Sequence, residues 1–289
     1  MEYIQFTLTV NEGKWLIAHA ITGMPEVRRA MAEGRVVFKA GTTVSCVAQL
    51  LTNTPLRICG RITPRGTVSS RAKGPGSHFL LYDQGRLENL DGHADVALLE
   101  LGPGDVMITG ANIIDAFGGA AMLAGSPGGN DGGRTIATMC SEGFQVIVAA
   151  GLEKLIPGAV GQSIIHSRRK GISSSRGMAC GLFPVMGQVI TELEAIRMIA
   201  DVEVCLIGRG GINGAEGGSV FQAWGPEVEL EELERVLASC RGLLVAGELA
   251  SLEECSYPCV NCNGHCSCCY KDIRQRKPQN CPSDAECLS

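Results

Sequence analysis

Residues 35–43, RVVFKAGTT, carry the first indication of the fold class. Five residues of strand type, RVVFK, run directly into Ala40 and Gly41, and an apolar helical stretch follows to Leu51. This order predicts a strand, a glycine turn and a helix. Such a turn presents backbone N–H groups at the positive end of the helix, which suits an anion, although many glycine turns only join two elements.

Two further stretches predict that this strand belongs to a parallel sheet. Residues 105–110 (DVMITG) and 145–150 (QVIVAA) are apolar strands that alternate with helical stretches. We therefore expect a Rossmann-like parallel sheet in an α/β fold, with ligands bound at the carboxyl ends of its strands. The loops around Gly41, Asn112 and Lys154 all follow such ends. Residues 79–88 add a predicted hairpin.

The pattern changes after residues 166–177, a basic, serine-rich stretch that is typical of a linker, with anion binding as the alternative. Residues 178–250 predict the order strand, helix, strand, strand, helix, strand, which is ferredoxin-like. Its strands are expected near 184–189, 202–208, 219–224 and 243–247. The predicted parts are an α/β domain at 1–165, a smaller ferredoxin-like α+β lid domain at 178–250 and a cysteine-rich tail at 251–289.

Composition and charge exclude several classes of protein. The length of 289 residues suggests two domains with an appendage, at ~150 residues per domain. A net charge of −5 argues against a nucleic-acid coat or a membrane-surface protein, since both need a basic face. Residues 1–10 alternate like a strand and show no signal peptide, and no apolar stretch reaches the ~18 residues of a membrane span. We expect a cytoplasmic protein without nucleic-acid or membrane partners.

The 38 glycines mark two loops, because seven lie in residues 118–133 and six in 208–218. Glycine lets a backbone approach a ligand closely, so the segment 125–133 (GSPGGNDGG) is a candidate binding loop. Residues 57–73 carry five basic and no acidic side chains, which indicates either a solvated loop or a lid over an anion. The expected partner is a small anionic metabolite. Its candidate ligand-binding residues are Gly41, Thr42, Thr43, Arg61, Arg65, Asn112, Gly128, Gly129 and Gly132.

Four stretches in this order resemble the sugar-phosphate isomerase and CoA-transferase superfamily, which includes ribose-5-phosphate isomerase A and the regulatory subunits of translation initiation factor 2B. They are residues 36–44 (VVFKAGTTV), 105–115 (DVMITGANIID), 125–133, and 146–150 leading to Lys154. With the lid, the likeness covers roughly residues 35–247. It implies a phosphate-binding turn, a lid as in ribose-5-phosphate isomerase A, and pairing of chains into a homo-oligomer.

Two departures from the superfamily pattern bear on activity. Asn112 stands where the isomerases have a carboxylate, and Thr109 stands where ribose-5-phosphate isomerase A has an aspartate. A neutral amide has no basic site of useful pKa, so it cannot take a proton from a sugar carbon. Asp115 and Lys154 are then the candidate catalytic pair. Alternatively, Asp115 caps a helix and Lys154 lines the pocket.

Glu216 lies in the glycine segment 208–218 and is comparable to the glutamate nucleophile of CoA transferases. Its surroundings match that family poorly. A tight glycine hairpin is the preferred interpretation of this segment.

The tail holds eight of the 14 cysteines together with His265. Thiolates separated by two or three residues can turn back on one ion, and sulfur selects zinc or an iron–sulfur cluster. Disulfides, or a tail that is disordered without metal, are the alternatives. The candidate metal ligands are Cys255, Cys259, Cys262, Cys266, Cys268, Cys269, Cys281 and Cys287.

Three functions follow from these features. The preferred one is a binding protein for a small anionic, phosphorylated or CoA-like metabolite, with a regulatory role and a metal-binding tail. The second is an isomerase or transferase that uses Asp115 and Lys154. The third is a structural or partner-docking module.

Overall fold

A six-stranded mixed sheet lies at the centre of the fold. The computed structural model describes residues 1–64, 66–69 and 75–253, and their architecture is mixed α/β. The strands are β1 (Glu2–Leu8), β2 (Arg35–Lys39), β3 (Gly60–Thr63), β4 (Gly66–Ser69), β5 (Phe79–Asp83), β6 (Arg86–Asn89), β7 (Val106–Gly110), β8 (Ile113–Ile114), β9 (Ala120–Ala124), β10 (Gln145–Ala149), β11 (Gly181–Pro184), β12 (Gln188–Ile190), β13 (Glu203–Gly210) and β14 (Gly218–Gly225).

Helices connect and cover these strands. The α-helices are α1 (Val10–Gly23), α2 (Pro25–Glu33), α3 (Thr42–Thr52), α4 (Ala94–Ala97), α5 (Asn130–Arg134), α6 (Ile136–Ser141), α7 (Val160–His166), α8 (Glu192–Ile199), α9 (Glu227–Cys240) and α10 (Leu249–Leu252). Single 3-10 turns occur at Leu98–Glu100, Pro127–Gly129 and Leu152–Lys154.

The central sheet has the strand order β12-β10-β7-β2-β5-β6. The first four strands are parallel, whereas β5 and β6 run antiparallel at one edge. The parallel arrangement predicted for the three apolar stretches is therefore confirmed, and the predicted hairpin at 79–88 is β5–β6. The turn of this hairpin has positive φ at both central residues, Gln84 and Gly85, as a tight two-residue hairpin turn requires.

The central strands are apolar throughout because both faces of the sheet are covered. Val36 and Phe38 of β2 point into a core formed with α1 and α3. Val37 and Met107 point into a second core on the other face, together with Phe79. Alternation along β2 thus sends its side chains to two separate compartments.

The smaller antiparallel sheet differs from the predicted ferredoxin-like lid. Its order is β1-β14-β13, so the N-terminal strand fills the edge beside β14. Residues 184–189 contribute to two different strands, since β11 pairs with β9 and β12 joins the central sheet. The ferredoxin-like order is therefore not confirmed.

The predicted strand at 243–247 is not a strand, because helix α1 binds this segment. The Gly242 amide donates a hydrogen bond to Glu12 Oε1 at 2.9 Å. The Trp15 indole N–H donates to the Leu244 carbonyl at 2.8 Å. These side-chain partners replace the ladder bonds that a sheet edge would have supplied.

One apolar core joins residues from both predicted domains. Leu16 and Ile17 of α1 belong to the same buried cluster as Phe221 of β14 and Leu233 of α9. Among the described residues, no helix combines the length and the apolar character needed to cross a membrane. The parallel strands β2, β7, β10 and β12 all end at one edge of the central sheet, which positions the candidate site.

Candidate functional site

Lys39, the last residue of β2, is a buried cation at this edge. Its side chain is on the face opposite Phe38, and the residue is 3% exposed. Its Nζ donates to Met122 Sδ at 2.7 Å and lies 5.8 Å from the centre of the Phe79 ring. Within the described part of the chain, no carboxylate or carbonyl oxygen accepts a hydrogen bond from this ammonium.

The glycine-rich loop packs directly against Lys39. A Cβ on Gly132 would lie 2.7 Å from Lys39 Cε and 3.4 Å from Nζ, so a larger residue would compete with the lysine for space. Gly129 has φ +74° and approaches the Phe183 ring, where a Cβ would meet Cε1 at 2.9 Å. We call Lys39, Phe79, Met122 and Gly132 the lysine site. The structure thus brings predicted loop glycines to a residue that the sequence analysis did not select.

Burial controls the charges around the lysine site. It lowers the pKa of Lys39 from 10.5 to about 8 because water no longer solvates the ammonium. The pKa of His78 falls to about 3, first by burial and then by the positive charge of Lys39, so its ring is neutral at physiological pH. Burial also raises the pKa of the Cys59 thiol. Among the described residues, no anionic group is paired with the Lys39 ammonium.

Asp91, whose carboxylate binds the backbone of Phe79, is held in an ion pair. Arg57 Nη2 donates to Asp91 Oδ2 at 2.6 Å. The Asp91 carboxylate also accepts the backbone N–H groups of His78 and Phe79. These donors, together with Arg57, hold the pKa of Asp91 below its ordinary value despite partial burial. Asp91 is consequently occupied and is not a counter-ion for Lys39.

The predicted glycine turn is formed at the start of α3. Gly41 is the N-cap, and the space around it is open, since no atom would lie within 4 Å of a Cβ there. Thr42 and Thr43 are the first two residues of the helix. The hydroxyl of Thr43 is buried without a hydrogen-bond partner in the described structure. An unpaired buried hydroxyl is unfavourable, so this turn has unused capacity to bind a polar group.

A second group of charged side chains lies on the other side of the edge, where β10 and β12 end. Glu192, the first residue of α8, is 4% exposed, and its Oε2 accepts the Leu152 N–H at 2.7 Å. Glu153 Oε2 is buried and has no hydrogen-bond partner among the described residues. Lys154 Nζ lies 3.7 Å from Glu153 Oε1. We call the following residues the carboxylate cluster: Lys14, Glu153, Lys154 and Glu192.

Two glycines allow the carboxylates to approach each other. A Cβ on Gly151 would lie 2.1 Å from Glu153 Oε2 and 2.7 Å from Glu192 Oε1. A Cβ on Gly13 would lie 2.5 Å from the same Glu192 oxygen. Both carboxyl groups therefore face the same small space beside Gly151, where their charges repel.

Repulsion and burial give Glu192 an unusual proton affinity. Burial is the main cause, and the negative charge of Glu153 adds to it, so the pKa of Glu192 rises from 4.5 to about 7. The Leu152 N–H and Lys154 act in the opposite direction. The pKa of Lys14 is lowered by burial, which Glu153 partly offsets. A carboxyl group that exchanges its proton near neutral pH is suited to general acid–base chemistry.

Asp115 and Asn112 hold loops in place. The Asp115 carboxylate accepts the backbone N–H groups of Phe117, Gly119 and Val160 at 2.8–2.9 Å, and these bonds lower its pKa. Asn112 Oδ1 accepts the Leu123 N–H at 2.9 Å. The recorded partners of Asp115 are thus backbone amides, whereas Lys154 lies in the carboxylate cluster. This geometry favours the structural interpretation of Asp115.

Arg61 and Glu216 make contacts outside these two sites. Arg61 donates to the carbonyls of Ser251 and Glu253, which connects the β3–β4 hairpin to α10. Arg65 lies outside the described residues. Glu216 is exposed in the β13–β14 turn and accepts the Gly214 N–H at 2.9 Å, as expected for a tight glycine hairpin.

The sequence analysis missed Lys39, Glu153 and Glu192. One signal was present for Lys39, since it is a charged residue at the end of an apolar strand, directly before a glycine turn. Glu192 follows Thr191, whose capping box with Glu194 makes the segment look like an ordinary helix start. Its proximity to Glu153 depends on the pairing of β10 with β12.

The predicted metal ligands all lie in the cysteine-rich tail. Within residues 1–64, 66–69 and 75–253, no group of three or more His, Cys, Asp or Glu side chains is arranged to bind a metal ion. The eight tail cysteines lie outside the described residues. Comparisons of the chain with protein-family models, curated proteins and solved structures find no match. The resemblance to the isomerase and CoA-transferase superfamily thus stays a prediction.

Glu192→Gln should change how stability depends on pH. The folded state holds the Glu192 proton more tightly than the unfolded chain, so the wild-type free energy of unfolding should fall as pH rises from about 4.5 to about 7. The loss should be on the order of 3 kcal/mol, and it should disappear in Glu192→Gln. Urea denaturation across this pH range measures it. The exposed Glu231→Gln is the matched control, and equal pH profiles for wild type and Glu192→Gln would contradict the assignment.

Lys39→Met should stabilise the folded protein near neutral pH. The unfolded chain holds the Lys39 proton more tightly, so the burial penalty is fully present below about pH 8 and declines as pH rises toward 10.5. Methionine fills a similar volume without charge, and we expect a gain on the order of 3 kcal/mol at pH 7 that shrinks through this window. Urea denaturation provides the measurement. Lys170→Met, at an exposed lysine, should have little effect. A Lys39→Met variant less stable than wild type at pH 7 would refute the argument.

Proposed function

We propose that the protein binds a small anionic metabolite at the carboxyl edge of the central sheet, with Lys39 as the ligand's counter-ion. The observation that carries this proposal is the buried Lys39 ammonium, whose recorded hydrogen-bond acceptor is the Met122 thioether. Burying a cation without an anionic partner is unfavourable. A bound phosphate or carboxylate would supply the missing charge, which explains why a destabilising lysine occupies this position.

The surroundings of Lys39 support the same ligand class. Gly41 leaves open space at the start of α3, and the partial positive charge of a helix N-terminus favours anions. The Thr43 hydroxyl has an unused hydrogen-bonding capacity. The glycine-rich loop brings its backbone close to Lys39 through Gly132. These features also agree with the phosphate-binding turn that the resemblance implies.

We propose a Rossmann-like scaffold of the isomerase and CoA-transferase type, a cytoplasmic protein, and a zinc or iron–sulfur centre in the tail. The scaffold, the cellular location and the metal centre are all proposed from sequence motifs. The substitution of Asn112 for a carboxylate supports binding over sugar isomerisation at that loop.

Anionic ligands should raise the melting temperature of the wild-type protein but not that of Lys39→Met. The probes are inorganic phosphate, ribose 5-phosphate and acetyl-CoA, each compared with chloride at equal ionic strength. At least one of them should raise the melting temperature by about 3 °C or more when saturating, because it binds the folded state alone.

Lys170→Met is the matched control, and it should respond as the wild type does. If none of the anions stabilises the wild type, the proposed function fails. It also fails if Lys39→Met keeps the full response, since Lys39 would then not be the counter-ion.

The carboxylate cluster favours a second candidate function, an enzyme that transfers protons. Glu153 Oε2 is a buried acceptor that receives no hydrogen bond from the part of the chain that the structure describes, and it faces the space beside Gly151 that Glu192 also faces. A ligand hydroxyl would satisfy this oxygen, Glu192 would exchange the proton, and Lys154 would stabilise negative charge on the ligand. Of the catalytic pair predicted from the sequence, this candidate enzyme retains Lys154. Glu192 takes the role that was predicted for Asp115.

Proton exchange in D2O tests this candidate. Wild-type protein incubated with ribose 5-phosphate should replace a carbon-bound hydrogen by deuterium, as followed by proton NMR. Glu192→Gln should reduce the rate by at least about a hundredfold, which is the usual contribution of a general base. Asp115→Asn should retain the activity. Exchange that is lost in Asp115→Asn but kept in Glu192→Gln would instead support the Asp115 assignment, and no exchange in the wild type would reject this function for a sugar phosphate.

A further inference from the structure

The neighbours of the Lys39 amine differ from those of a lysine whose role is to form a salt bridge. The carboxylates that adjoin Phe79 and Gly132, two residues of the lysine site, are already bound by arginines. Asp91 pairs with Arg57, and Asp131 pairs with Arg134. The Lys39 Nζ contacts a thioether and faces an aromatic ring instead. The described neighbours of the amine therefore include no oxygen acceptor that would stabilise its charged form.

We infer that Lys39 is a nucleophilic amine that forms an imine with the aldehyde or ketone group of an anionic ligand. A lysine in an apolar pocket keeps its nitrogen lone pair available, which is how amines are activated for attack on carbonyl groups. The inference rests on the proposed function, because it places the carbonyl group of the same ligand at the same residue. It adds a covalent step and a substrate class, the anionic carbonyl compounds.

The covalent step is balanced without an oxidant or a reductant. The lone pair of the neutral Lys39 Nζ attacks the carbonyl carbon and forms a C–N bond. The carbonyl oxygen takes up the amine protons and leaves as water, which gives a C=N double bond. Protonation of this nitrogen yields a cationic iminium, and water reverses the reaction.

Burial makes the reactive form of the amine available. With a pKa of about 8, roughly a tenth of Lys39 is neutral at pH 7, compared with well under a thousandth for an ordinary lysine. His78 is uncharged at this pH because burial lowers its pKa to about 3, so it adds no second cation beside the amine.

The same geometry indicates that the carbonyl compound should carry a negative charge. The iminium places a positive charge where, within the described structure, Met122 and Phe79 surround the nitrogen and no carboxylate contacts it. A phosphate or carboxylate on the ligand would neutralise that charge. A neutral aldehyde would leave the iminium buried and unpaired, and we expect it to react less.

Gly132 provides a structural control for the position of the amine. A methyl group there would lie 2.7 Å from Lys39 Cε and would push the flexible end of the side chain away from the site. Gly132→Ala should therefore reduce imine formation while the lysine remains in the sequence. Gly158→Ala is the matched control, because its methyl group would lie in open space. Gly118→Ala would not serve, because the positive φ of Gly118 strains any larger residue.

Borohydride trapping tests the inference. The full-length protein is incubated with glyceraldehyde 3-phosphate, or with glyceraldehyde as the neutral probe, and then reduced with sodium borohydride, which converts the imine into a stable amine. Peptide mass spectrometry locates the adduct. We expect labelling of Lys39 by the phosphorylated aldehyde to exceed that of the exposed Lys170 by at least about tenfold, as for an activated lysine.

The variants and the neutral probe sharpen the result. Gly132→Ala should lose most of the labelling at Lys39, and Gly158→Ala should keep it. Lys39→Arg keeps the positive charge but has no primary amine, so it should lose the adduct. Equal labelling of Lys39 and Lys170, or none at Lys39, overturns the imine. Equal reactivity of glyceraldehyde overturns the anionic substrate class.

The two proposals fail separately. If phosphate stabilises the wild type but Lys39 is not labelled, anion binding stands and the imine is wrong. If Lys39 is labelled but phosphate and the other anions give no stabilisation, the amine is reactive and its role as a counter-ion is wrong. If neither occurs, both are wrong.

Discussion

Parallel pairing of β2, β7, β10 and β12 determines where the connecting helices and the candidate sites lie. The paired registers align these strands side by side, for example Val36 with Val106 and Val106 with Gln145. Parallel strands need crossover connections, and the helices that supply them cover both faces of the sheet. The strands must therefore be apolar, and polar chemistry concentrates at the edge where they end.

This edge has two sides because successive residues of a strand point to opposite faces. Lys39 lies on the same face as Phe79 and the glycine-rich loop. The carboxylate cluster lies on the opposite face, with α1 and α8. Charges at both places lose water without gaining full partners. Such arrangements are unfavourable for folding and are typical of functional sites, where a ligand completes the interactions that the protein leaves unmade.

Glycine controls the approach of elements at both places, by the absence of a side chain. Gly132 admits the end of Lys39, and Gly151 admits two carboxyl groups. Asp115 performs a related task for the loop after β7, since its carboxylate fixes three backbone amides. The predicted catalytic role of Asp115 came from its position after a strand. A position in the chain does not reveal that backbone donors occupy the carboxylate.

The amino-acid pattern alone predicts the alternation of apolar strands, glycine turns and helices, and hence the parallel part of the sheet and the edge where a site is expected. These features are local, since periodicity and turn residues act over a few positions. Three features emerge only when the chain is folded: β1 completes the smaller sheet, Lys39 has no oxygen partner among the described residues, and Glu153 lies close to Glu192. Each depends on contacts between segments distant in the chain, and burial, which sets the charge state of Lys39 and Glu192, exists only after those segments pack.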